Sequence, residues 1–134
     1  MKRAILIIVL LTAAAAMGQS SLKAQQTCYT QAQKAARRNP RVINRYGVRI
    51  HLYTVTNHYD AGTGTCWLKE AGSGELNGEK EPLTYEVVFN PFELDNNPAE
   101  YLGSDSAAVM CKVDGEYCIG LFKFEQLTKQ RYGF

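Results

Sequence analysis

The stretch Cys111-Lys-Val-Asp-Gly-Glu-Tyr-Cys118 constrains the fold more than any other part of the chain. Asp114-Gly115 is a strong two-residue hairpin signal, because a type I′ turn needs φ > 0 at both central positions. Around such a loop Val113 faces Glu116, Lys112 faces Tyr117 and Cys111 faces Cys118. Directly opposed residues have Cα atoms about 4.5–5.5 Å apart, within the span a disulfide tolerates. The chain has four Cys, which allow three connectivities. The hairpin selects Cys111–Cys118, and elimination then pairs Cys28 with Cys66. On the chain-entropy account the short loop contributes roughly 2.5 kcal/mol and the long one roughly 4 kcal/mol. Zinc is the rival use of four thiolates, but structural zinc sites carry close C-x₂₋₄-C pairs. Six residues separate the closest pair here, so disulfides are the expected use.

The N-terminus points to the compartment in which such bonds form. Lys2 and Arg3 are followed by an apolar run from Ile5 to Leu11 and by Ala13 to Ala16. Ala16 with Gly18, or Leu22 with Ala24, then offers small residues ahead of a cleavage point. A basic start, a short apolar stretch and a small-residue exit describe a secretory signal peptide, here over residues 1–24. The run is shorter than the roughly 20 residues needed to span a bilayer. Gln25, Gln26 and Thr27 precede the first Cys, so lipid anchoring at that end is not expected. The expectation is a single domain over residues 25–134, periplasmic or secreted, with no stable membrane anchor after cleavage. Cleavage after Ala24 removes Lys2, Arg3 and Lys23 and turns the formal charge of +2 into −1. The basic balance therefore belongs to the export signal and gives no reason to expect a nucleic-acid partner.

Within that domain one helix precedes a series of strands. Cys28, Ala32, Ala35 and Ala36 recur at helical spacing, which predicts a helix over Thr27 to Arg38 with a narrow apolar stripe. Asn39-Pro40 ends it, since the residue before Pro is pushed out of helical geometry. Arg41 to Gly47 reads as a loop or short helical turn. Val48 to Asn57 alternates as a strand, with Val48, Ile50, Leu52 and Thr54 on one face. Thr65 to Ala71 and Thr84 to Phe89 are further strands, separated by the glycine-rich loop 72–80. Asp95 to Asp105 reads as a loop or a short helix around Ala99 to Leu102. Ala107 to Val113 and Glu116 to Phe122 form the last hairpin, and Phe124 to Arg131 offers a short closing helix. The sum is an α+β fold, with one N-terminal helix packed on an antiparallel sheet of about five strands.

Charge is distributed unevenly. Lys34, Arg37, Arg38, Arg41, Arg45 and Arg49 occur with no acid between Gln25 and Tyr59, whereas twelve acids face three Lys from Asp60 to Glu116. One reading is a basic helix end that meets an acidic partner, an anionic lipid headgroup or a polyanion. The plainer one pairs the Arg-rich helix with the acidic strands of the same molecule or leaves it solvated. Arg37, Arg38 and Arg41, with the polar-tipped rings of Tyr59 and Trp67, mark a possible binding surface. No H-E-x-x-H, G-x-S-x-G or phosphate-cradling motif is present, nothing calls for a cofactor, and oxidised Cys leave no thiol nucleophile. The expectation is a non-enzymatic binding domain that takes a protein or an envelope component. A small hydrolase or lyase using His58 and Asp60 as an acid–base pair is an alternative. A metal carrier using His51, His58 and nearby carboxylates is another, although seven residues apart on one strand the two His would face opposite sides.

His58-Tyr59-Asp60, Cys66-Trp67-Leu68, Phe92-Glu93, Tyr101, the Cys111…Cys118 pair and Phe124 together resemble small exported bacterial proteins of unknown function, over residues 57–127. That resemblance implies no activity and assigns no catalytic or binding residue. Cystatin-like inhibitors also lay a helix across an antiparallel sheet, but their Gln-x-Val-x-Gly inhibitory loop is absent.

Overall fold

The computed structural model describes residues 2–76, 82–93, 97–105 and 107–134, with side chains from Ser20 onward. A helix, α1 (Lys2–Arg37), leads into seven strands: β1 (Arg41–Arg45), β2 (Val48–Asp60), β3 (Thr65–Glu75), β4 (Leu83–Phe89), β5 (Ala99–Gly103), β6 (Ala108–Val113) and β7 (Glu116–Tyr117). A second helix, α2 (Gly120–Tyr132), follows them. The strands form one sheet in the order of the sequence. Neighbours are antiparallel throughout. The α+β class is as expected, but there are seven strands rather than about five, and two helices rather than one. Among the described residues no helix is long and apolar enough to cross a membrane.

Both disulfides pair as the hairpin argument required, Cys28 with Cys66 and Cys111 with Cys118, at Cα separations of 5.4 and 5.0 Å. Asp114 and Gly115 have φ of 50° and 84°, and Lys112 pairs with Tyr117 and Val113 with Glu116. The second arm of this hairpin stops at Tyr117, however, and the chain through Phe122 is already helical. Arg41 to Gly47 is likewise a strand and turn rather than a loop. Tyr46 and Gly47 both have positive φ, 51° and 76°, and close a second two-residue hairpin. A Tyr in that position hides the turn from a search for Asn-Gly or Asp-Gly. Ala99 to Gly103 is neither loop nor helix but a strand buried along its whole length.

The sheet is sharply bent, and glycines permit it. β2 carries an irregularity between Leu52 and Thr54 that leaves Tyr53 without a partner, so its alternation changes phase. Val48, Ile50 and Leu52 are buried, then Val55 and Tyr59 turn inward while Thr54 is exposed. Opposite the bulge, Gly72 pairs with Leu52 and Tyr85. A Cβ there would lie 2.1 Å from the His51 carbonyl oxygen. Gly72 and Gly74, expected in a polar loop, therefore belong to β3, where Gly72 allows β2 to press close; residues 77–80 of that loop lie outside the described residues. Curvature brings β1 over the sheet. Although it pairs only with β2, its Arg41 and Arg45 reach Glu70 on β3 and Glu100 on β5.

The two helices cover opposite faces rather than sharing one. On the concave face, Cys28 and Ala32 of α1 pack on Cys66 and Leu68, with Ala35 beside them, whereas Ala36 is exposed. On the convex face, Phe124 and Tyr132 of α2 pack on Val88, Ala99, Tyr101, Cys111 and Val113. α2 ends at Gly133, in a left-handed conformation with its N–H donating to the Lys129 carbonyl at 3.1 Å.

Glu86 lies beneath α2 with Lys69 at 3.6 Å. Burial pushes its carboxyl up; Lys69 opposes the shift and Glu125 adds to it. With the folded value above the unfolded one, the native state keeps the proton longer, so stability falls as pH rises through the carboxylate range. Replacement by Gln is expected to raise the melting temperature by a few degrees at neutral pH and to leave it unchanged in acid, as thermal melts across pH would show.

Candidate functional site

The uncovered part of the concave face is a groove between β1, the end of α1 and the inner side chains of β3 and β4. It consists of two cavities of about 330 Å³ each, which share Arg41, Glu70 and Phe89. Period-two geometry builds the β1 wall, because residues two apart on a strand share a face. Arg41, Ile43 and Arg45 line the groove together. Tyr85 and Val87 form the floor from β4, and Lys34 and Arg38 of the α1 end border the far cavity.

Two acids anchor this wall from below. Glu100 is 7% exposed and accepts hydrogen bonds from Arg45 Nε at 3.0 Å, Tyr46 Oη at 2.7 Å and Tyr85 Oη at 2.8 Å. Glu70 is 3% exposed and accepts from Arg41 Nη2 at 2.6 Å. A buried carboxylate costs several kcal/mol unless it is paired and hydrogen-bonded, and these pairings meet that requirement. Burial and then the bond to Glu100 push the Tyr46 phenol up to about 12. Tyr85 moves the same way through burial and then the Glu100 charge. Burial pulls Arg45 down, but the hydrogen bond and charge of Glu100 outweigh it. Both phenols therefore stay protonated donors to Glu100 at neutral pH.

A spectroscopic consequence follows for the tyrosines. Of the eight in the chain, Tyr46, Tyr85, Tyr101 and Tyr132 are all raised, in each case with burial as the first cause. A phenol whose folded value lies above its unfolded value stabilises the native state only until the unfolded chain begins to ionise. About half of the tyrosinate absorbance should therefore appear late and together with unfolding, while stability declines above the ordinary value of 10. Smooth ionisation of all the tyrosines before any loss of structure would contradict this.

The residues singled out as a possible binding surface do not gather in one place. Arg38 and Arg41 border the groove. Arg37 is exposed on the last turn of α1. Tyr59 packs beside the Cys28–Cys66 bond and lines separate cavities near the middle of α1. Trp67 lies half-buried on the convex face, edge-on to Tyr132 with ring centroids 4.7 Å apart. The plainer reading of the charge layout holds for Arg41 and Arg45, whose partners are acids of the same chain.

His58 is exposed and stands edge-on to Phe134. The Asp60 carboxylate accepts from the Thr63 hydroxyl at 2.9 Å and from the Gly62 N–H at 2.9 Å, and these bonds hold it below the usual carboxylate range. The nearby His58 charge adds the last of the lowering contributions. His51 pairs with Ser73 and His58 with Trp67, so the bulge puts both His on the same face, contrary to simple alternation. They remain six β3 positions apart, about 20 Å at about 3.3 Å per residue. Among the described residues no three His, Cys, Asp or Glu gather as a metal site.

Glu70, Glu100, Tyr46 and Tyr85 were not singled out as site residues by sequence reasoning, and Arg45 was named only as part of the basic run. For Glu70 a signal existed, since it continues the buried alternation of Cys66 and Leu68 along β3. A doubly stapled α+β domain with an open, cation-rimmed groove is what fold and site define. Comparison with protein-family models, curated proteins and solved structures finds no match.

Proposed function

We propose that the chain is an exported, non-enzymatic binding domain of the cell envelope, periplasmic or secreted, whose groove holds a protein or an envelope component. The observation that carries this reading is the groove itself. It is an open part of the concave face with half-buried apolar side chains at Ile43 and Phe89, rimmed by cations and braced from beneath by Glu70 and Glu100. Ligand sites are typically concave and largely apolar, with a few placed polar groups. Two disulfides, with no free Cys among the described residues, support an oxidising compartment, and the N-terminal segment supports export. Protein recovered from the envelope should begin after Gly18 or Ala24 and carry no free thiol; four free thiols would remove the basis of the reading. A photo-crosslinking side chain at Ile43 should give a discrete adduct in cells that the same group at Val109, exposed on β6, does not. No adduct, or the same adducts from both positions, would overturn the binding role.

A further inference from the structure

We infer that the groove takes an extended acidic peptide segment with interleaved apolar side chains, an inference that rests on the binding reading above and names its ligand class. Apolar surface is the first argument. Ile43, Phe89 and Pro91, each half-buried, line the two cavities, whereas Tyr85 and Val87, 2% and 6% exposed, belong to the core beneath them. The cavities join through Arg41, Glu70 and Phe89, a shape that suits an elongated ligand.

Charge is the second. Lys34, Arg38, Arg41 and Arg45 line the groove, and the acids beneath them are Glu70 and Glu100. Four cations less two acids leave +2. Glu70 and Glu100 are committed to Arg41 and Arg45, whereas Lys34 and Arg38 are exposed and have no ion-pair partner among the described residues. The excess positive charge therefore lies at the α1 end, next to the apolar surface of Phe89 and Pro91. Such an arrangement favours a segment that brings a small number of carboxylates and two or three apolar side chains. Two unpaired cations are too few to match a dense polyanion, and a neutral apolar ligand would leave them unmatched.

The test uses the oxidised protein and a fluorescein-labelled peptide of alternating glutamate and leucine, followed by fluorescence anisotropy. Saturable binding that weakens with salt is expected, and a lysine–leucine peptide should bind about tenfold more weakly. Lys34→Glu combined with Arg38→Glu should cost about tenfold for the acidic peptide and improve binding of the basic one. Both positions are exposed, and Lys34→Gln with Arg38→Gln gives a milder variant should the reversal disturb folding. Equal binding of the two peptides, or acidic binding unchanged in both variants, would overturn the inference. So would phosphatidylglycerol vesicles that displace the acidic peptide and lose the protein on the same substitutions, since the groove would then be a lipid site. If crosslinking from Ile43 captures a discrete partner while the acidic peptide does not bind, the ligand class falls and the binding reading survives. If neither occurs, both fall.

Discussion

Replacing Cys28 and Cys66 together with Ala should lower the stability of the oxidised protein by about 4 kcal/mol. The bridge closes a loop of 38 residues, and restraint of the unfolded chain grows with the logarithm of loop length. For a domain of this size that corresponds to a fall in melting temperature of roughly 15 °C. The loss has a structural component as well, because Cys28 is wholly buried and Ala32 and Leu68 pack beside the bridge. Cys111 and Cys118, with a separation of 7, should cost less when replaced, about 2.5 kcal/mol. Calorimetry of the two double variants against the parent checks both numbers and their order. A sample treated with reductant that melts with the oxidised one would show that neither bridge restrains the chain.

Glu100→Ala should cost about 3 kcal/mol or more, because it leaves the partners of a buried charge unmatched. Arg45, with its side chain 40% exposed, recovers some hydration. Tyr85 does not, being 2% exposed, and a buried hydroxyl without an acceptor costs about 1–3 kcal/mol. Glu100→Gln keeps an acceptor for Tyr85 and should lose less than the Ala variant. Replacing Arg45 and Glu100 together by Leu should recover much of the difference, since a well-packed apolar pair often equals or exceeds a buried ion pair. Urea denaturation measures all of these on one scale. A cost below about 1 kcal/mol for the Ala variant would mean that some other contact holds β1 over β5.

Features set by local chemistry were legible in the sequence. The Asp114-Gly115 turn could be read because its requirement for positive φ is met by neighbouring residues, and the pairing of Cys111 with Cys118 followed from it. The helical spacing of Cys28, Ala32 and Ala35 placed α1 on the sheet for the same kind of reason. What escaped depends on residues distant in sequence. Gly72 looks like loop material until Leu52 and His51 are known to press against it. Tyr53 looks like one more alternating residue, yet the bulge there reverses the facing of everything after it, His58 included. β5 failed to register because Ala99, Glu100 and Leu102 carry no strand pattern of their own; burial between β4 and β6 decides their conformation. The groove was missed for a related reason. Its acids lie at buried strand positions and its Arg partners on β1, and only the curvature of the sheet brings the two together.

The two sulfur bridges lie on opposite sides of one curved sheet, one under α1 and the other ahead of α2. Each can therefore be opened without disturbing the packing on the far side. Reduction confined to the Cys28 bridge would loosen the chain next to Lys34 and Arg38 and leave the surface beneath α2 in place, so backbone hydrogen exchange should rise first on the concave side.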